Sequence, residues 1–206
     1  MRKLPALGVL VVLLLGVDQG ARLVAQGALA SRAREAARDP DSADATITSF
    51  PFLGRLLASG SVPRVDVRVT GAAAGPLRLA AVEVEASGVV LDRGALLSGD
   101  VRVKAIHRGR VTVELNGMGL TDAVKLPVTI GDGKVRVGRE GGVGVAADVE
   151  VNRSGSLVLR LAGLPALTVP VVRTPLVPCA ATSVSVEGDR VLLSCEVDEF
   201  PAALRR

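Results

Sequence analysis

From residue 62 onward apolar and polar positions alternate with a period of two, the mark of a strand that buries one face and wets the other. Val65, Val67 and Val69 alternate with Arg64, Asp66 and Arg68. Leu77 and Leu79 open a second run that continues through Val82, Val84 and Ala86, and its phase shift at Ala80-Ala81 predicts a β-bulge. Val101–Ala105 and Val111–Leu115 read as two more strands, and Val124, Leu126, Val128 and Ile130 as another. That last one closes on the turn Gly131-Asp132-Gly133 before Val135 and Val137. Val143 to Val151 alternate cleanly, Leu157, Leu159 and Leu161 follow, and a hairpin is signalled at Gly188-Asp189 between Val184–Glu187 and Arg190–Leu193. Short strands joined by turns, with no βαβ alternation, exclude a doubly wound fold and predict a curved antiparallel sheet. The inner face is almost wholly Val and Leu, so it needs a helix, a second sheet or a ligand packed against it. Helical patterns occur in only two places, the N-terminal segment and the short stretch Phe52–Ser59.

The N-terminus follows a different pattern. Arg2 and Lys3 precede an apolar run from Leu4 to Val17, the form of an export signal. As a helix it spans roughly 21 Å at about 1.5 Å per residue, short of a ~30 Å hydrocarbon core. Ala28-Leu29-Ala30 has the small-x-small form of a cleavage site, yet it lies well beyond the apolar run. Residues 18–38 read instead as an amphipathic helix, with Ala21, Val24, Ala25, Ala28 and Leu29 at helical spacing, ended by Asp39-Pro40-Asp41-Ser42. The expected organisation is a signal or anchor at 1–17, a helix at 18–38 that continues into the domain, and an antiparallel β-domain at 39–206. Attachment to the membrane through residues 4–17 places the rest outside the cytoplasm, anchored or secreted.

Charge sharpens this. Residues 1–38 carry six of the 25 basic residues and two of the 21 acidic ones, which leaves 19 of each in 39–206. The sequence pI of about 9.7 thus belongs to the N-terminal segment. With a balanced β-region, three Phe and no Tyr or Trp, nucleic-acid binding is not expected. A mean hydropathy of +0.42 leaves surplus aliphatic surface to bury, to line a cavity or to face lipid. Cys179 and Cys195 flank the last hairpin; outside the cytoplasm a disulfide is the expected state, two buried thiols the alternative.

Catalytic constellations are missing. His107 is the only His, in a turn where a solvated side chain is expected; there is no Gly-x-Ser-x-Gly elbow and no CxxC. Gly138–Gly144 lacks the Gly-Lys-Ser/Thr ending of a phosphate loop and reads as a turn between strands. The carboxylates occupy polar positions of alternating strands. No enzyme activity, metal or cofactor is expected.

The most distinctive local feature is Phe50-Pro51-Phe52-Leu53 followed by Leu56-Leu57 and Gly60. Pro51 suits a helix start, and Leu53, Leu56 and Leu57 share one helical face, as a core plug or as the lining of a ligand site. The Pro-Phe-Leu-x-x-Leu-Leu-x-x-Gly core at 51–60, after an apolar anchor and a small-residue helix, resembles the LmeA-like phospholipid-binding family of actinobacterial envelopes. The long Val-alternating region and the Cys179–Cys195 hairpin extend the resemblance over the whole chain. Ser49 and Gly54 depart from the family pattern, which has a Gly before the Phe and a Thr after the Leu. The resemblance implies a tubular lipid-binding fold, mainly β with an N-terminal helix, in which a curved antiparallel sheet wraps the helix around an acyl-chain groove. It also implies phospholipid as partner and a role in envelope lipid or lipoglycan assembly. On that reading Phe50, Phe52, Leu53, Leu56, Leu57, Val65, Val67 and Val69 line the groove. The alternative is a membrane-tethered extracytoplasmic scaffold or interaction module with a filled core and no lipid ligand.

Overall fold

The computed structural model describes residues 4–74, 77–92, 94, 102–138, 144–171, 174 and 177–199, with side chains from Leu13 onward. In chain order these form α1 (Leu4–Ala36), β1 (Ser42–Thr48), α2 (Phe52–Ser59), β2 (Ser61–Thr70), β3 (Ala73–Ala74), β4 (Leu77–Arg78) and β5 (Ala81–Leu91). There follow β6 (Val103–Ala105), β7 (Arg108–Asn116), α3 (Gly117–Val124), β8 (Val128–Gly131) and β9 (Lys134–Val137). The chain continues through β10 (Val145–Val151), β11 (Leu157–Leu161), β12 (Leu167–Val169), β13 (Ser183–Glu187) and β14 (Arg190–Val197). The expected class holds: mainly β, antiparallel throughout, with an N-terminal helix, and not closed into a barrel. One sheet has seven strands in the order β1-β2-β5-β7-β14-β13, with β6 also on β5; a second is the meander β12-β11-β10-β9-β8.

Alternation does the work predicted of it. Val65, Val67 and Val69 on β2 face inward, paired with Ile47, Ala45 and Ala43 of β1 and with Ala86, Val84 and Val82 of β5. The inner faces of both sheets, with Leu29 and Ala33 of α1, Phe52 and Leu56 of α2 and Leu120 of α3, form one hydrophobic cluster. The outer face of the seven-stranded sheet is a ladder of charge. Glu114 on β7 is nearly buried and bridges Arg68 of β2 at 2.6 Å and Arg190 of β14 at 2.5 Å. The hydrogen bond from Arg190 to Glu114, and then the Glu114 charge, raise the pKa of Arg190, as Asp66 does for Arg64. Glu114→Gln removes that charge from a three-strand junction. Because both arginines reach solvent, the expected loss is modest, about 1–2 kcal/mol, read as a lower midpoint in denaturant unfolding.

Four expectations need correction. Residues 117–124 are a helix, so Val124 belongs to α3 and only Val128–Gly131 form a strand. The Asn116 side chain caps α3 by accepting from the Gly119 N–H at 2.8 Å, a local signal stronger than the period-two pattern around it. Gly119 is required there, since a Cβ would lie 2.2 Å from the Arg78 carbonyl oxygen. The phase shift at Ala80-Ala81 is no bulge: β3 and β4 make a small hairpin, Leu79 and Ala80 lie between strands, and β5 begins at Ala81. The register irregularity lies instead at Val90/Leu91, against β6. Sheet pairing also starts before the clean alternation at residue 62, at β1, where Ala43, Asp44 and Ala45 weaken the strand signal. Finally, among the described residues no helix is long and apolar enough to cross a membrane. A membrane segment at 4–17 therefore finds no support, because the apolar run is short and Asp18 follows it directly. Arg2, Lys3, Val101 and the segment 139–143 of the glycine-rich turn lie outside the described residues.

Cys179 and Cys195 form a disulfide, with Cα atoms 6.2 Å apart. Pairing in the hairpin sets Ser183 opposite Ser194, so β13 starts just past the residue across from Cys195. Cys179 reaches it from the preceding loop.

Candidate lipid-binding site

α2 sits where α1 meets the seven-stranded sheet. Pro51 precedes it after a cis Phe50–Pro51 bond, and its own N-cap position offers no side-chain acceptor. The acceptor comes from 34 residues upstream: Asp18 of α1, 5% exposed, receives the Phe52 N–H at 3.0 Å and the Leu53 N–H at 2.6 Å. A carboxylate on two otherwise open first-turn donors also complements the helix dipole. Gly60 ends the helix in the left-handed region, φ 69°, with its N–H on the Leu56 carbonyl.

This geometry separates the residues expected to line a groove. Phe52, Leu56, Val65, Val67 and Val69 are buried among the protein's own core side chains, and Leu53 is half-buried against them. Phe50 and Leu57 are 60% and 68% exposed. Phe50 borders a cavity of about 470 Å³ between α1, the end of β1 and α2. His107 is exposed, as expected of a turn residue. Among the described residues no cluster of three or more His, Cys, Asp or Glu is placed to hold a metal ion.

A more apolar concavity lies elsewhere, at one end of the five-stranded sheet. Leu126 follows α3, Val137 ends β9 with Gly138 just after it, Val145 opens β10, Leu161 ends β11, Leu164 and Pro165 lie in the connection that follows, and Leu167 opens β12. Together they line about 510 Å³ with aliphatic surface, within the ~300–1,000 Å³ of ligand pockets. Leu126, Val145 and Leu164 stay substantially exposed at its rim. Such a site can take up hydrocarbon without any directional chemistry. Sequence reasoning passed over these residues, although Leu164-Pro165 was a visible signal: a leucine in the turn after Gly163, where polar residues are expected.

The family model for LmeA-like phospholipid-binding proteins matches residues 16–201. The chain belongs to the LmeA-like phospholipid-binding family. The match begins two residues before Asp18, so it takes in most of α1, the Asp18 cap on α2, both sheets and the disulfide hairpin. Membership supports a lipid-binding role with phospholipid as partner, and the family is described by what it binds and not by a reaction. Neither the curated proteins nor the solved structures contain a match to the chain.

Proposed function

We propose that this protein is a non-catalytic phospholipid carrier or holder of the bacterial cell envelope, serving lipid or lipoglycan assembly, with an acyl chain held in the cavity between Leu126, Val145, Leu161 and Leu167. The observation that carries the reading is that aliphatic concavity in a member of a phospholipid-binding family. Each methylene taken from water there contributes about 0.8 kcal/mol. The disulfide and the family together support a location outside the cytoplasm. The apolar N-terminal run serves export. The helix from Asp18 onward stays with the mature protein, because Asp18, Ala25, Leu29 and Ala33 are built into the fold.

A second reading, a tethered interaction module without lipid, draws on one specific observation: Phe52, Leu56 and the β2 valines fill the core beneath the seven-stranded sheet. Mass spectrometry of solvent extracts of the purified full chain separates the two. Phospholipid in near-stoichiometric amount is the expected result. Protein that is lipid-free after expression in a lipid-rich membrane fraction, and that takes up none from added short-chain phospholipid, leaves only the interaction module.

A further inference from the structure

The cavity beside Phe50 differs from the aliphatic one in chemistry. Arg22 of α1 and Arg55 of α2 both line it, with Ser49, Thr46 and Thr48, and no Asp or Glu is among its lining residues. On the strands several arginines are matched by carboxylates, as in Arg64–Asp66, Arg68–Glu83, Arg110–Glu196 and Arg160–Glu150. Arg22 and Arg55 take part in no ion pair among the described residues. The nearby carboxylate of Asp18, one helical turn before Arg22, is engaged on the backbone of α2.

Two buried polar atoms at this cavity have no hydrogen-bond partner: Nε of Arg22 and Oγ of Ser49, a residue only 5% exposed. Buried polar atoms without partners are costly, so a cavity whose lining residues keep two of them is one that an added hydrogen-bonding group completes. Two guanidinium groups, a buried hydroxyl and threonine hydroxyls, with no acid among them, match a phosphate group. The surroundings specify where that phosphate comes from. Phe50 forms part of the cavity wall and is itself 60% exposed, and the two helices that supply the arginines also expose Leu57 on α2 and Leu23 and Val24 on α1. Two arginines in a cavity walled by an exposed phenylalanine suit the interface of an anionic bilayer, where apolar side chains enter the headgroup layer and arginines meet phosphates.

We propose that Arg22, Ser49 and Arg55 form a headgroup site that holds the phosphate of an anionic phospholipid at a membrane surface, with Phe50 and Leu57 inserted beside it. The site is distinct from the aliphatic cavity, and its choice of a lipid source rests on the phospholipid reading above.

The test compares the full chain with R22Q/R55Q, S49A and R153Q in sedimentation with two kinds of vesicle, phosphatidylcholine alone and phosphatidylcholine mixed with phosphatidylglycerol. Wild type is expected to prefer the anionic vesicles. R22Q/R55Q and S49A lose that preference by on the order of tenfold, the worth of one or two charge-assisted hydrogen bonds. R153Q removes an exposed charge elsewhere and keeps the preference. S49A also melts no lower than wild type, since it deletes an unsatisfied hydroxyl, a readout that a merely structural serine would move the other way. Should R22Q/R55Q fold poorly, S49A and the single R55Q, at an exposed position, carry the test. An undiminished preference in these variants, or an equal loss in R153Q, overturns the site. So does a wild type that melts higher in inorganic phosphate at fixed ionic strength yet binds both vesicles alike, which would make the ligand free phosphate. Phospholipid extracted from R22Q/R55Q should equal that from wild type. A wild type without extractable lipid would instead strike the acyl-chain reading, while the vesicle comparison still judges this site.

Discussion

Asp18→Ala is expected to lower the melting temperature of the full chain by roughly 5–10 °C, equivalent to about 2–3 kcal/mol in a domain of this size. Two first-turn N–H groups of α2 rest on this one carboxylate, and no side chain at the helix's own N-cap position replaces it. Loss of a cap costs about 0.5–2 kcal/mol, and a donor left unsatisfied in a buried setting adds about 1–3 kcal/mol before any water enters. The loss spreads past the cap, because α2 carries Phe52 and Leu56 into the core and sets Arg55 and Leu57 on the surface. Asp18→Asn keeps an acceptor oxygen and should recover about half of the loss. A variant Asp18→Ala that melts within about 1 °C of wild type would show that α2 holds without its distant cap.

Leu164→Arg is expected to cut the phospholipid that accompanies the purified protein by at least about tenfold, with the fold unchanged. Leu164 is 57% exposed in the turn between β11 and β12, so an arginine there is hydrated in the empty protein and folding bears little of the change. An acyl chain in the cavity would meet the arginine stem and strip water from its guanidinium, and about 1.4 kcal/mol of that penalty is already tenfold in affinity. Leu164→Ala removes only contact area and should lose a few-fold. The measurement is lipid per protein by mass spectrometry, beside a thermal melt as the control for folding. Equal lipid in Leu164→Arg and wild type would move the acyl chain to another part of the molecule.

These two residues illustrate what was legible in advance. Asp18 was visible as a lone acid at the end of an apolar run, but nothing in a linear chain tells that its carboxylate will meet residues 52 and 53. Leu164 was passed over although it is an apolar residue in a turn, and its companions Leu126 and Val145 each read as ordinary strand residues. Leu126 reaches the cavity only because Asn116 starts a helix that ends at Val124 and frees the following segment from the sheet.

Period-two alternation settles by itself that this chain is an antiparallel β protein, since the side-chain period of a strand is a local property and each inward valine needs only the adjacent pleat. The Pro-Phe-Leu core at 51–60 likewise sufficed to indicate the family, and the two cysteines their pairing. Tertiary structure alone decided which aliphatic residues are core and which are free. The same leucine or valine fills space under α1 or borders a cavity according to what lies across from it, and that depends on contacts between segments tens of residues apart. It likewise decided which arginines are neutralised: a guanidinium opposite a carboxylate in the sheet register is satisfied, whereas Arg22 and Arg55, brought together by α1 and α2, are left facing an open cavity.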